Sequence, residues 1–236
     1  MIVAIDGPSG AGKSTVAKAV AKELGFSCLD TGAMYRAIAW QALQNGVSLD
    51  DEAALGEIAR TYDIAFGHVE GDPVPKRVFI GDAEVTDAIR TAEIDRAVSP
   101  TSAAPSVRAA LLDQQRRIGN GGDYVVEGRD IGTVVFPDAA VKVFLTASDE
   151  ERAHRRVRQN VDRGIGSIDY EEVLADLRRR DAADSSRATA PLRAAEDAVQ
   201  IDSTSHYIEE VIDQICALAR EKMQERLPAG RSRREF

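Results

Sequence analysis

The sequence predicts a three-layer α/β fold, a five-stranded parallel sheet with helices on both faces, interrupted by an inserted domain that carries a small antiparallel sheet. Three observations predict it. Short apolar, β-branched runs alternate with amphipathic helical stretches, the pattern of a buried parallel sheet. The first run, Ile2-Val3-Ala4-Ile5-Asp6, leads into Gly7-Pro8-Ser9-Gly10-Ala11-Gly12-Lys13-Ser14, a P-loop of the form G-x-x-x-x-G-K-[ST] that continues into Thr15. From Asp63 to Thr86 the texture changes to strand, turn and strand, with Gly81-Asp82 as a two-residue hairpin signal.

After the P-loop, Val16, Val20 and Leu24 recur at helical spacing with Ala17 and Ala21 beside them, so a helix opens at about Gly12 or Lys13. The glycines let the backbone N–H groups converge on one concavity, and the helix N-terminus adds partial positive charge. Such a concavity holds polyphosphate. Lys13 is expected to reach the β- and γ-phosphates and the Ser14 hydroxyl to ligate Mg²⁺. Gly25 ends the helix, and Phe26 to Asp30 reads as the second strand, with Thr31-Gly32 turning out of it.

Tyr35, Ile38, Ala39 and Ala42 share one face of the next helix, which Gly46 closes. Trp40, on that helix, is expected in the core. A short helix from about Asp50 buries Leu55, Ile58 and Ala59. Ile64, Phe66 and Val78 to Ile80 are strand-like, and Gly71-Asp72-Pro73-Val74-Pro75 between them is loop. Helices resume at about Thr91. Past Pro105, the residues Val107, Ala110, Leu111 and Ile118 mark a long amphipathic helix.

Gly119 to Asp123 is a break, after which Tyr124-Val125-Val126-Glu127 returns to the core sheet and Val141 to Leu145 forms the fourth strand. Ser148 with Glu151 makes a capping box that opens an arginine-rich helix. Asp169 with Glu172 opens another, with Tyr170, Val173, Leu174 and Leu177 inward. Ala198 to Ile201 is the fifth strand. The final helix is expected to bury Ile208, Val211, Ile212, Ile215, Leu218 and Ala219. The expected division is a core of 1–30, 119–148 and 164–227, an inserted acceptor-binding domain of 31–118, a short helical lid of 149–163, and a disordered basic tail of 228–236.

The chain has 236 residues, 44% hydrophobic and 29% charged, ordinary values for a soluble protein. A net charge of −9 gives no field over the whole surface that would draw in nucleic acid or anionic membrane, so neither is expected as a partner. Cys28 and Cys216 fit no metal spacing and read as buried thiols, while His68, His154 and His206 are scattered and read as neither ligands nor bases. With the P-loop at residue 7 and no long apolar run, a cytoplasmic location is expected. No patch reads as an interface, so the default is a monomer.

The chain lacks the N-K-x-D segment of regulatory GTPases, since Asn45, Asn120 and Asn160 are not followed by lysine. The nearest approach to a Walker-B strand is Val125-Val126-Glu127. That leaves small-molecule phosphotransferases, which need a second anionic pocket and arginines to neutralise the charge that spreads during transfer. Arg36 follows the second strand and Arg129 the third, at the edge where α/β sheets place ligands. Arg152, Arg155, Arg156, Arg158 and Arg163 crowd one helix and the loop after it; Arg178, Arg179, Arg180 and Arg187 follow. Asp30 and Glu127 are placed to position Mg²⁺ through water.

From end to end the chain resembles the bacterial cytidylate kinases, members of the nucleoside monophosphate kinases. Beyond the P-loop the resemblance rests on Leu29-Asp30-Thr31-Gly32-Ala33-Met34-Tyr35-Arg36, Ile89-Arg90-Thr91, and the run from Gly128-Arg129-Asp130-Ile131-Gly132 to Phe136-Pro137-Asp138-Ala139. It continues in Glu151-Arg152-Ala153-His154-Arg155-Arg156, Arg180-Asp181, Asp184, Arg187 to Leu192, and Asp202-Ser203-Thr204. It implies transfer from ATP to CMP or dCMP. Gly7 to Thr15 and Arg152 would bind ATP. Arg36, Arg129 and Arg180 would bind the acceptor phosphate. Thr31, Arg108, Asp130 and Arg187 would read the cytosine edge, and Ser99, Arg180 and Asp184 would hold the sugar. Lys13, Arg129, Arg156 and Arg180 would carry the chemistry. Arg152 to Arg163 would form a lid that excludes water, with Arg152 on adenine and Arg156 on phosphate. Thr31 stands where some members have serine, and the tail from Pro228 is longer than expected. Two other readings compete: a P-loop kinase acting on UMP, AMP or a non-nucleotide, and a non-catalytic protein that senses nucleotide or binds RNA through its arginines.

Overall fold

The computed structural model describes residues 1–226; the tail expected at 228–236 lies outside them. The elements are β1 Ile2–Asp6, α1 Lys13–Leu24, β2 Ser27–Asp30, α2 Thr31–Gln44, α3 Glu52–Thr61, β3 Ile64–Gly67, β4 Arg77–Ile80 and β5 Ala83–Glu84. They continue as α4 Ala92–Ala103, α5 Pro105–Gly119, β6 Tyr124–Gly128, β7 Val141–Thr146, α6 Asp149–Arg163, α7 Tyr170–Ser186, β8 Val199–Asp202 and α8 Ile208–Glu225.

The expected five-stranded parallel sheet is present in the order β2-β6-β1-β7-β8. β1 lies at its centre, with Val3 in register with both Val125 and Val141. Strand periodicity sorts the side chains. Val3, Ile5, Cys28, Val125 and Val143 face one core with Val16 and Val20 of α1 and Ile215 of α8. Ala4, Leu29 and Val126 face the other, with Met34 and Ile38 of α2 and Leu111 of α5. This makes three layers, and it centres the P-loop on the carboxyl edge of the sheet.

The inserted segment has no core of its own. Leu55 of α3, Ile80 of β4 and Ile94 of α4 belong to the same apolar cluster as Ala4 and Val126 of the central strands. Its small sheet has the order β3-β4-β5, and Gly81-Asp82 joins β4 to β5 with Ile80 opposite Ala83, as the hairpin signal predicts. The loop ahead of β4 crosses the margin of the large sheet. Cys28 N donates to Pro73 O at 3.1 Å, and Val74 is buried in the far core with Val16 and Val20.

Four expectations are corrected. Thr31-Gly32 is not a turn but the first turn of α2, because the Asp30 side chain caps the helix by accepting from Ala33 N at 3.0 Å. Ile208 is 37% exposed, since the buried face of α8 begins at Val211. Trp40 is half-buried at the rim of the core. The arginine-rich helix α6 does not stand alone: its Ala153 packs with Val173, Leu174 and Leu177 of α7 in a separate small cluster. Residues 149–186 are therefore one helical hairpin, where the sequence division placed 164 onwards in the core.

Candidate active site

One open cleft of about 680 Å³ runs along the carboxyl edge of the sheet. Of the residues predicted for the site, Ser9, Gly10, Ala11, Gly12, Lys13, Ser14, Thr15, Thr31, Arg36, Ser99, Arg108, Arg129, Asp130, Arg156, Arg180, Asp184 and Arg187 all line it. Gly7, Pro8 and Arg152 do not. Eleven lysine and arginine side chains line the cleft against five aspartates and glutamates, an excess that suits polyanionic ligands.

At the P-loop end, Gly7 has φ +152°, and a Cβ there would lie 2.0 Å from Leu145 O, so the loop leaves β1 in contact with β7. Lys13 is buried, and its ammonium donates to Pro8 O at 2.6 Å. Burial and the nearby Arg129 bring its pKa down to about 7. Ser14 Oγ donates to Glu127 Oε2 at 2.8 Å. The other oxygen, Glu127 Oε1, is buried without a partner. Burial, then the charge of Asp30, raises the Glu127 carboxyl to about 7. An unpartnered carboxylate oxygen beside a serine hydroxyl is a hard oxygen donor set of the kind Mg²⁺ takes, with water and phosphate completing the shell. Ser14 and Glu127 are the residues that fit it.

Asp6 was not singled out from the sequence, yet it organises the next loop. Its two carboxylate oxygens accept from Ile131 N at 2.8 Å and Gly132 N at 2.7 Å. Burial pushes its pKa up to about 6 in spite of these bonds. They pin the wide helical turn Ile131–Val135 that follows β6, and so fix Arg129 and Asp130 just before it. A charged residue ending an otherwise apolar strand is the signal that could have found it.

At the other end, Arg108 Nη2 meets Asp130 Oδ2 at 2.5 Å, and Arg108 Nη1 donates to Ser102 O at 3.1 Å. The guanidinium lies over the Tyr35 ring, 5.3 Å from its centroid. Arg108 Nε is buried without a partner. Thr31 Oγ1 donates to Glu127 O at 2.7 Å, which commits its proton and leaves its oxygen as an acceptor. Asp184 joins Arg129 Nε at 3.0 Å to Arg187 Nη2 at 2.7 Å. Arg180 is brought down to about 10, by burial first and by Arg129 next. Arg36 and Arg156 both meet Asp95, a further residue the sequence reading missed.

Arg152, expected on adenine, is a correction. It is 3% exposed and braces the P-loop from behind. Its guanidinium donates to Ser9 O at 2.9 Å, Ala147 O at 3.1 Å, and the carboxylates of Asp149 and Asp181. Four of its five guanidinium N–H groups are taken up in this way, and the side chain does not line the cleft. Its neighbour Arg155 faces the cleft instead, donating to Ser203 Oγ at 3.0 Å and Ser203 O at 2.7 Å. Among the described residues no group of three His, Cys, Asp or Glu side chains could hold a metal, and no helix is long and apolar enough to cross a membrane.

Comparison with known proteins bears on these arrangements. The family described as cytidylate kinase matches residues 3–221. A cytidylate kinase from a Geobacter species is 50% identical over 230 residues, covering 98% of this chain and 95% of that protein. One from Saccharophagus degradans is 46% identical over 220 residues, covering 93% and 97%. A bifunctional pantoate ligase/cytidylate kinase from Trichormus variabilis is 48% identical over 214 residues, covering 91% of this chain and 40% of that longer protein.

Proposed function

The chain belongs to the cytidylate kinase family and transfers phosphate from ATP to CMP or dCMP, and from that premise we propose which of its residues carry the reaction. The observation that supports the assignment is the buried Arg108–Asp130 pair at one end of the cleft that holds Lys13 and Ser14 at the other. Cytosine offers an exocyclic amine and two ring acceptors, O2 and N3. Asp130 accepts from the amine, with the Thr31 oxygen as a second acceptor. Arg108 and Arg187 donate to the ring. Uracil turns a carbonyl towards Asp130, which leaves buried polar groups unpaired at about 1–3 kcal/mol each. Ser99, Arg180 and Asp184 hold the sugar.

Arg36, Arg129 and Arg180 bind the acceptor phosphate, and Arg129, Arg156 and Arg180 offset the charge that spreads over the transferred group. Lys13 leaves Pro8 O and turns to the β- and γ-phosphates of ATP, cradled by Gly7 to Thr15. Recharging of Lys13 by those phosphates reverses the effect of its burial. Ser14 and Glu127 would hold Mg²⁺, which when bound supplies charge neutralisation at the phosphates. The acceptor oxygen is already anionic, so no side chain is needed as general base. The hairpin α6–α7 is the lid, larger than residues 149–163, and it brings Arg156 of α6 and Arg180 of α7 to the cleft.

Two free, buried thiols, Cys28 and Cys216, support a reducing compartment and hence the cytoplasm. Among the described residues the large exposed apolar side chains are few and scattered, at Val69, at Val161 and Ile168 of the hairpin, and at the two ends of α8, which supports a monomer. The test is ADP release from ATP and Mg²⁺ with CMP, dCMP, UMP, AMP or no acceptor in parallel. Turnover confined mainly to CMP and dCMP is expected. Equal turnover with UMP or AMP would remove the roles given to Thr31, Arg108, Asp130 and Arg187.

A further inference from the structure

We propose that Asp95 is a positioning residue that competes with the acceptor phosphate for Arg36 and Arg156, and so weakens every phosphate at this site until only a ligand with further contacts binds well. The proposal rests on the reading of Arg36 as an acceptor-phosphate ligand. Asp95 sits in the first turn of α4, whose cap is the Thr91 side chain accepting from Ile94 N at 3.3 Å. Its Oδ1 lies 2.5 Å from Arg36 Nη1 on α2, and its Oδ2 accepts from Arg156 Nη2 on α6 at 2.7 Å. Two oxygens bridging two guanidinium groups is the geometry in which arginines take a phosphate.

The surroundings show why the carboxylate matters. Arg180 and Arg163 also lie within electrostatic reach of it. Burial disfavours the Asp95 anion, but Arg36 and Arg156 outweigh it and hold the carboxyl below its ordinary range, so the group is charged. The other acids on the cleft have other work: Asp130 meets Arg108, Asp184 joins Arg129 to Arg187, Glu127 accepts from Ser14 and Asp30 caps α2. Among the described residues, Asp95 is the acid of the cleft that ties an arginine of the inserted segment to an arginine of the hairpin.

A phosphate that takes Arg36 must therefore displace or repel this carboxylate. An inorganic phosphate ion has only its charge to set against it. A nucleotide also brings its base and sugar contacts, and these offset the repulsion. Asp95 thereby weakens the free ion and the nucleotide phosphate alike, and only the nucleotide, through its base and sugar contacts, still binds well.

The experiment compares the wild type with Asp95→Asn, which keeps the shape and removes the charge, and with Asp95→Glu, which keeps the charge. The readouts are the inhibition constant of inorganic phosphate against CMP, the KM for CMP and kcat, with a thermal melt to establish folding. Asp95→Asn is expected to bind inorganic phosphate about tenfold more tightly, the effect of one partly screened charge. Its KM for CMP should fall by a similar factor, and Asp95→Glu should restore weak phosphate inhibition. A structural disturbance would weaken phosphate binding, so an unchanged or raised inhibition constant overturns the proposal. Arg36→Ala runs alongside. If it raises the KM for CMP while Asp95→Asn does not tighten phosphate, the competition alone is wrong. If it leaves the KM unchanged, the acceptor reading falls and the competition with it.

Discussion

Arg108 and Asp130 form a buried ion pair whose side chains are each 6% exposed, and the pair closes the end of the cleft opposite the P-loop. An unassisted pair in such a place gains little net stability, because desolvation offsets most of the attraction. On the proposed reading, its value lies in recognising the base. Asp130→Asn should lower kcat/KM for CMP by about 100-fold while leaving that for UMP unchanged or higher, since the amide can donate where the carboxylate cannot. Steady-state kinetics with both acceptors decide this, and an unchanged CMP preference removes Asp130 from base reading.

Glu127 makes a prediction about pH. Its folded-state pKa of about 7 lies above the ordinary 4.5, so the folded protein holds an extra proton between those limits. That contribution to stability is full below about pH 4.5 and is lost as pH rises through about 7. Glu127→Gln does not titrate. Relative to wild type it should gain about 3 kcal/mol between pH 4.5 and pH 7.5, read from denaturant melts without nucleotide. Its kcat should fall by about 10- to 100-fold as a metal-positioning oxygen is lost. A relative stability independent of pH would show that the carboxyl is not raised.

Arg152 separates bracing from binding. Arg152→Ala strips two backbone carbonyls and two carboxylates of their donor and leaves the half-buried Asp181 unpaired. A loss of about 3–5 kcal/mol follows from breaking such a buried pair. Arg152→Lys cannot span four acceptors with one ammonium and should recover less than half of it. If Arg152 instead sat on the adenine, both variants would raise the KM for ATP with little change in the melting temperature.

Gly7 tests the junction of strand and loop. A methyl group there meets Leu145 O at 2.0 Å, and backbone cannot move aside as a side chain can. Gly7→Ala should cost more than about 3 kcal/mol or abolish folding, whereas Gly25→Ala, with nothing within 4 Å, should cost only its positive-φ strain of about 1 kcal/mol. Equal melting temperatures for the two would refute the close approach of β1 and β7.

Legibility in the sequence followed the range of the interaction. The strands, the P-loop, the Gly81-Asp82 hairpin and the caps at Ser148 and Asp169 depend on neighbours a few residues away, and each was visible. Many of the residues that line the cleft were visible as well, because motifs at strand ends carry them. What was hidden depends on partners remote in the chain. Asp6 holds Ile131 and Gly132 across 125 and 126 positions, and Asp95 meets Arg156 across 61. Arg152 and Arg156 share one helix and one charge. Only the third dimension tells that the first turns behind Ser9 and the second to the cleft.

The strap formed by Pro73 and Val74 has an engineering consequence. Pro73 O occupies the Cys28 amide on the outermost strand of the large sheet, and Val74 is seated in the core on the far side. The acceptor-side hairpin is thus not an excisable module. Trimming the chain between β3 and β5 would uncover a strand margin and open a hole at the same time, and an uncovered margin is a template for another chain. Shortened forms of this enzyme should fail by aggregation before they fail by loss of acceptor binding.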